Sequence, residues 1–247
     1  MQTRDEYPLS HTLILKLERR DRLSPEEKQV LESAISRVSD IEVDEEFIRE
    51  GDRPTDSKLL LEGFAARYKD LANGKRQITA LHVPGDFVDL HSFLLKTMDH
   101  GIVALTPCRI ASVPHTALRT ITERHPHLTR LLWLNTLLDG AIHREWLVAM
   151  GRRTALGRMT HLFCELFLRL QIVGQTEGRS FKLPLTQAEL GDTLGLSTVH
   201  INRILQELRA NGLVAWRGPT LTILDWDRLM EAAEFDPAFL NLDLEPR

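Results

Sequence analysis

The chain has 247 residues, 43% hydrophobic and 27% charged, an ordinary globular composition with length enough for two domains. Two cysteines, Cys108 and Cys164, exclude a disulfide framework and a cysteine-built metal cluster, and no apolar run reaches the roughly 18–20 residues of a membrane span. The formal net charge of −4 argues against a polyanionic partner for the chain taken whole, so the distribution of charge matters more than its sum.

The first residues, Met1 to Leu9, are polar and unlike a secretory signal, so the expected location is the cytoplasm. The segment up to about Leu23 reads as a loosely held arm. Ser24-Pro25-Glu26-Glu27 reads as a capping box that opens a helix over Ser24–Arg37, with Val30, Leu31 and Ile35 as its apolar stripe. From Asp40 to Pro114, short apolar stretches alternate with turn signals at Gly51-Asp52, Asn73-Gly74 and Pro84-Gly85-Asp86. That spacing predicts an all-β sandwich or barrel without a helix of its own, with strands at Leu59–Leu61 and Ile78–Val83. Asn73-Gly74 predicts a type I′ hairpin, whose two central residues take positive φ.

A long helix is expected from Pro126 to Met150. Leu131, Leu134, Leu138, Ala141, Glu145 and Val148 recur at spacings of three and four, a short heptad seam suited to a second copy of the same helix. Leu128, Leu132, Ile142, Trp146 and Ala149 form another apolar face for the β domain. A single helix buried in a monomer is the competing reading. A further helix is expected near Thr154–Val173, then a break at Gly174–Ser180.

From Gly151 to Pro219 basic residues outnumber acidic ones, whereas the stretch after Pro219 is acidic. The basic stretch contains QAELGDTLGLSTVHINRILQ, beginning at Gln187. Two helices crossing steeply through a short turn need a small residue at the crossing, positive φ in the turn and caps at both starts. Gly191, Gly195, Thr186 and Ser197 meet those needs in order, and Leu190, Leu194, Ile201, Ile204 and Leu205 fill the space between. This is a helix-turn-helix over about Thr186 to Asn211. Thr198, Val199, Asn202 and Arg203 are expected to project from the second helix, with His200 beside them. Arg203 suits guanine, Asn202 adenine and Val199 a thymine methyl. Arg209 and Arg217 are expected at phosphates, and Thr186, Gln187 and Ser197 complete the candidate DNA-contacting set. Leu213–Trp216 and Leu221–Leu224, turning at Arg217-Gly218-Pro219, predict a β wing.

These motifs together resemble the Crp/Fnr family of bacterial regulators over nearly the whole chain. The β-roll punctuation (Gly51-Asp52, Gly63, Gly74, Pro84-Gly85-Asp86) and TQAELGDTLGLSTVHINRIL stand in the family's order. The implied fold is α+β: a jelly-roll-like sensor over residues 1–125, a dimerisation helix and hinge over 126–151, and a winged helix-turn-helix over 152–247. The resemblance implies a homodimer joined through Leu131, Leu134, Leu138, Ala141 and Val148, promoter DNA as partner, and action on RNA polymerase. It also implies an effector pocket at Asp86, Asp89, Leu90, Asp99, His100 and Asn135.

The chain departs from the family pattern where cyclic-AMP binders carry Gly-Glu and Arg-Ser. Those places hold Asp89-Leu90 and Asp99-His100. Leu90 cannot accept from a ribose hydroxyl and Asp99 repels a phosphate, so cyclic AMP is not expected. With no cysteine before Cys108, a four-thiolate iron–sulfur cluster has no ligand set. Haem on His82, His91, His100, His115, His125 or His127 is the alternative; surface or hydrogen-bonded histidines are the simpler reading. Redox sensing through Cys108 or Cys164 is a further option, although Cys164 sits among Leu162, Phe163 and Leu166. No cofactor and no metal are expected, and a small organic effector, or none, leads. Thr198-Val199 in place of the family's Arg-Glu predicts a departure from the family's standard operator. No catalytic motif is present, so an enzyme is not expected. A winged helix that binds protein instead of DNA is the remaining rival.

Overall fold

The computed structural model describes residues 7–247, so most of the Met1 to Leu9 segment lies outside the described residues. The chain divides into two units. The first holds the described residues up to Arg67, Leu81–Asp139 and Leu242–Arg247; the second holds Tyr68–Ala80 and Gly140–Asn241. The boundary between the units falls between Asp139 and Gly140, within the long helix. No helix among the described residues is long and apolar enough to cross a membrane.

Seven short strands build the β-roll: β1 (Arg37–Ile41), β2 (Glu46–Ile48), β3 (Asp56–Glu62), β4 (Ala65–Asp70), β5 (Arg76–His82), β6 (Gly101–Ala104) and β7 (Cys108–Pro114). They form one sheet ordered β1-β7-β3 and another ordered β2-β6-β4-β5. Period-two alternation assigns the faces. Leu60 of β3 joins Ile48, Ile102 and Ile110 in the core between the sheets, while its neighbours Leu59 and Leu61 turn the other way. That outer face is covered by helices α1 (His11–Glu18), α2 (Pro25–Ser33), α4 (His115–Arg124) and the start of α5 (Pro126–Arg152), through Leu13, Leu17, Leu31, Leu118, Leu128 and Leu131. A four-residue helix, α3 (Ser92–Leu95), precedes β6.

Several expectations change here. The described part of the presumed arm before Leu23 contains helix α1, which buries Leu13, Ile14 and Leu17. Ser10 gives α1 no side-chain cap; its amide and hydroxyl both donate to Glu32, at 2.8 and 2.6 Å. The usual start signal is therefore missing from the sequence. What holds α1 is the Pro84-Gly85-Asp86 turn. A Cβ on Gly85 would lie 2.8 Å from the Thr12 carbonyl oxygen, and Asp86 accepts from Lys16 Nζ at 2.6 Å. The capping box of α2 forms as expected, but the helix stops at Ser33 and Arg37 begins β1. The β4–β5 turn is not type I′. Leu71 accepts from Gly74 N at 2.9 Å and donates to Lys75 O at 2.7 Å, and only Gly74 takes positive φ (77°). That is a type I turn closed by a glycine bulge.

In the second unit, α6 (Ala155–Ile172) is followed by β8 (Thr176–Glu177), β9 (Ser180–Lys182), α7 (Gln187–Leu194), α8 (Thr198–Ala210), β10 (Val214–Arg217), β11 (Thr220–Ile223), α9 (Trp226–Ala233) and a 3-10 turn at Pro237–Leu240. The expected break at Gly174–Ser180 holds a β hairpin, so the wing is a four-stranded sheet ordered β10-β11-β9-β8. The acidic tail is also structured: Phe235 and Phe239 lie 5.0 and 5.7 Å from the His161 ring. Trp146 of α5 donates to the fully buried Glu165 of α6 at 2.7 Å, and Arg169 also donates to that carboxylate at 2.7 Å.

The heptad seam read on α5 also shifts. Leu131 and Leu138 are buried within the chain's own core, where no second copy can meet them; Leu134 and Ala141 are half-buried and Val148 is exposed. Apolar residues of α5 left outside are Trp133, Leu137, Leu147, Val148 and Met150, at 66, 54, 72, 46 and 38% exposure. Trp133, Leu137 and Leu147 repeat with Gly140 and Arg144 at spacings of four and three, a seam in a different register from the one expected.

Candidate nucleic-acid interface

Local chemistry fixes each end of α7 and α8. Thr186 accepts from Glu189 N at 3.2 Å, and the Glu189 carboxylate accepts from Thr186 N at 2.6 Å, a reciprocal capping box. Gly195 ends α7 in the left-handed region (φ 66°), which costs glycine nothing. Leu196 N then donates to Gly191 O at 3.0 Å. Gly191 allows that approach because it carries no side chain. Ser197 accepts from His200 N at 3.3 Å and starts α8.

α8 is divided lengthwise. Ile201, Ile204, Leu205 and Leu208 are buried, whereas Thr198, Asn202 and Arg203 are exposed and Val199 is 79% exposed. Arg203 donates to His200 Nε2 at 3.0 Å, and Asn202 Nδ2 donates to Gln187 Oε1 at 3.4 Å. Of the expected cluster Thr186, Gln187, Ser197, Thr198, Val199, His200, Asn202 and Arg203, the structure thus joins Gln187 at the start of α7 to Asn202 of α8, and His200 to Arg203. Arg209 lies farther along α8 and donates to Trp216 O at 3.5 Å, and Arg217 is exposed at the end of β10. Sequence reasoning missed Gln77 at the base of the β4–β5 turn, which donates to the carbonyls of Asp192 and Thr193 at 2.7 and 3.3 Å. It supports α7 from behind; nothing local in the sequence signals a contact so distant along the chain.

The residues implied for an effector pocket are held by partners of their own. Asp86 is spent on Lys16 and on Val83 N (3.0 Å). Asp89 accepts from Lys58 N at 2.6 Å and from Ser92, whose hydroxyl lies 3.2 Å from His115 Nε2. Burial pushes the Asp89 carboxyl up to about 7 against those hydrogen bonds. Leu90 packs against the helical side of the sheet, and Asn135 is buried on α5 beside Lys16 and Arg20. Asp99 and His100 stand together, 3.7 Å apart. His91, considered before only as a haem ligand, meets His100 with its Nε2 at 3.0 Å from the other ring's.

The cofactors of related regulators can be tested against these groups. Burial pushes the Cys164 thiol up to about 12 and raises Cys108 too, and two thiols cannot provide the four thiolates of an iron–sulfur cluster. Exposed Asp99 sets negative charge where a cyclic phosphate needs a cation. Neither group fits.

Comparison with known proteins gives the same picture. Residues 40–125 match the model of the cyclic nucleotide-binding domain, and residues 157–232 that of the Crp-like helix-turn-helix domain. The transcriptional activator protein FnrL of Cereibacter sphaeroides is 27% identical over 190 residues, covering 75% of this chain and 76% of that protein. The fumarate and nitrate reduction regulatory protein of Vibrio cholerae is 25% identical over 213 residues, 85% of this chain and 84% of that one. The structure of FixK2 from Bradyrhizobium japonicum superposes with a TM-score of 0.70 at 22% identity, covering 80% of this chain and 97% of that chain. The β-roll, the long helix, the capped helix pair and these relatives together make the chain a DNA-binding transcription regulator of the Crp/Fnr family.

Proposed function

We propose that the chain acts in the cytoplasm as a homodimer whose two α8 helices enter successive major grooves of promoter DNA. The observation that carries this reading is the lengthwise division of α8: a capped, exposed start bearing Thr198, Val199, Asn202 and Arg203, with the opposite face buried. Arg203 pairs with guanine O6 and N7, Asn202 with adenine, and Val199 meets a thymine methyl, with His200 alongside. Thr186, Gln187, Ser197, Arg209 and Arg217 hold the phosphates and set register without reading sequence.

The exposed seam Trp133, Leu137, Gly140, Arg144 and Leu147 supports pairing with a second copy, because large apolar side chains in a row on a helix face are costly to leave in water. Action on RNA polymerase, and control by a small effector, belong to the same reading; the names of the relatives as activators support the first. No catalytic step is part of it. The test is selection of genomic fragments by the purified protein. The expected product is a two-fold symmetric site whose half-sites lie about 10–10.5 bp apart, or a multiple of that, bound with an affinity that falls steeply as salt rises. Fragments with no shared sequence, retained without regard to salt, would overturn it.

A further inference from the structure

The β-roll gathers a cluster of side chains that DNA recognition does not use. His91, immediately before α3, and His100, immediately before β6, bring their Nε2 atoms to 3.0 Å. Asp99 Oδ1 lies 3.7 Å from the same His100 nitrogen, and one donor atom from each of the three lies within 4.8 Å of the others. We propose that His91, Asp99 and His100 form a binding site for one divalent transition-metal ion of the zinc type, with water completing its coordination.

Geometry is the first argument. Ligand atoms about 2.0–2.1 Å from a tetrahedral Zn²⁺ stand roughly 3.3 Å from each other. The separations of 3.0 and 3.7 Å from His100 Nε2 fall on either side of that value, and the third, between His91 and Asp99, lies within 4.8 Å, so rotation of the exposed Asp99 side chain closes the site. Donor type is the second. Two imidazoles and a carboxylate suit a borderline ion, whereas Mg²⁺ and Ca²⁺ select oxygen. The third is access: His100 is 6% exposed and the Asp99 side chain is 80% exposed, so an inner ligand and an outer one leave a route for entry and for water.

Protonation does not compete with the metal at neutral pH. Burial, reinforced by the Arg67 guanidinium, pushes His91 down to about 4 and His100 to about 3, so both rings keep the neutral form that ligates. Buried His82 is also held neutral and adds no charge. Arg67 itself opposes a cation, but it donates to Asp139 at 3.0 Å and to Val88 O at 3.1 Å, and the Asp139 charge offsets it. The competing arrangement is a simple hydrogen bond between two neutral rings. The Arg-Ser pair implied by the resemblance would neutralise an anion, and Asp99-His100 reverses the sign of ligand that this place accepts.

The test uses the full chain, stripped of metal by dialysis against a chelator and titrated with Co²⁺ alone. Co²⁺ should give visible ligand-field bands at one equivalent per chain with micromolar or tighter affinity, and Zn²⁺ should abolish them. Replacing a metal's hydrogen-bonded outer partner already weakens binding 10–100-fold, so Asp99→Asn, in an exposed side chain, and His91→Gln, in a half-buried one, should each weaken it about tenfold or more. His127→Gln, in a histidine outside the cluster, should leave it unchanged. Absence of the bands in the unsubstituted protein, or equal affinity in all four proteins, would overturn the proposal. No DNA enters the assay, so the outcome is independent of the operator reading.

Discussion

A Cβ placed on Gly191 would lie 2.6 Å from the carbonyl oxygen of Leu196. That oxygen belongs to the backbone of the turn and cannot swing aside as a side chain would. Gly191→Ala should therefore force α7 and α8 apart and move the start of α8. The expected cost is about 1–3 kcal/mol of stability with an additional loss of operator affinity, read by urea denaturation and by fluorescence anisotropy on a labelled duplex. Unchanged stability and affinity would show that the crossing is looser than the geometry requires.

His127, in the first turn of α5, donates from its two ring nitrogens to Glu27 at 2.6 Å and Asp21 at 3.0 Å. Burial works against its charge, but hydrogen bonds and charge from Asp21 and Glu27 together raise it above the ordinary histidine value. The two carboxyls are held low: burial raises each, and His127 together with backbone amides outweighs it. The histidine's contribution is complete below about pH 6.5 and is lost as pH rises through its raised native value; the carboxyls' contribution is present above roughly pH 4 and is lost as pH falls through their lowered ones. His127→Gln should destabilise the chain more at pH 6 than at pH 9, measured by denaturation at both. An equal effect at the two pH values would contradict the clamp.

Asp89 works in the opposite sense. Its native pKa of about 7 means the folded chain holds a proton that the unfolded chain releases near pH 4. Stability from this group is complete below the unfolded value and is lost as pH rises through 7. Asp89→Asn keeps an acceptor for Lys58 N and cannot ionise, so relative to the parent it should gain stability between pH 5 and pH 8. Parallel pH profiles of parent and variant would refute this.

The α5 residues separate folding from assembly. Leu131 is fully buried and Leu147 is 72% exposed. Leu131→Ala should cost about 2–5 kcal/mol of stability as a core cavity. Leu147→Glu should leave the fold intact and shift the sedimentation coefficient from dimer to monomer. A dimer that persists in Leu147→Glu would place the interface elsewhere.

What the sequence made legible was whatever local chemistry decides. The caps at Thr186 and Ser197, the glycines at 191 and 195 and the apolar spacing all act within about twenty residues of chain, and the helix pair follows from them. Turns at Gly51, Gly74 and Gly85 punctuated the β-roll in the same way, although the backbone of one turn differs because Asn73 does not take positive φ. Helix α1 was hidden because Ser10 serves Glu32 instead of capping, and because its anchors, Gly85 and Asp86, lie far along the chain. On α5, apolar residues recur on two faces, and periodicity cannot say which face the β sheet takes; packing gives it Leu131 and leaves Trp133 outside. His91 and His100 stand nine residues apart across a loop, a spacing that corresponds to no fixed ligand motif, so only the fold reveals their contact.

Arg203 gives the most direct measurement of whether the start of α8 reads bases. The Arg203→Ala chain and its parent would be compared by anisotropy on the selected operator, on operators with each guanine replaced in turn, and on unrelated duplex of equal length. Loss of the parent's discrimination at one guanine of each half-site is expected, worth about 1–3 kcal/mol, with affinity for unrelated DNA falling far less. An equal fall on all duplexes would make Arg203 a phosphate contact, and no change on any would remove this face of α8 from the interface.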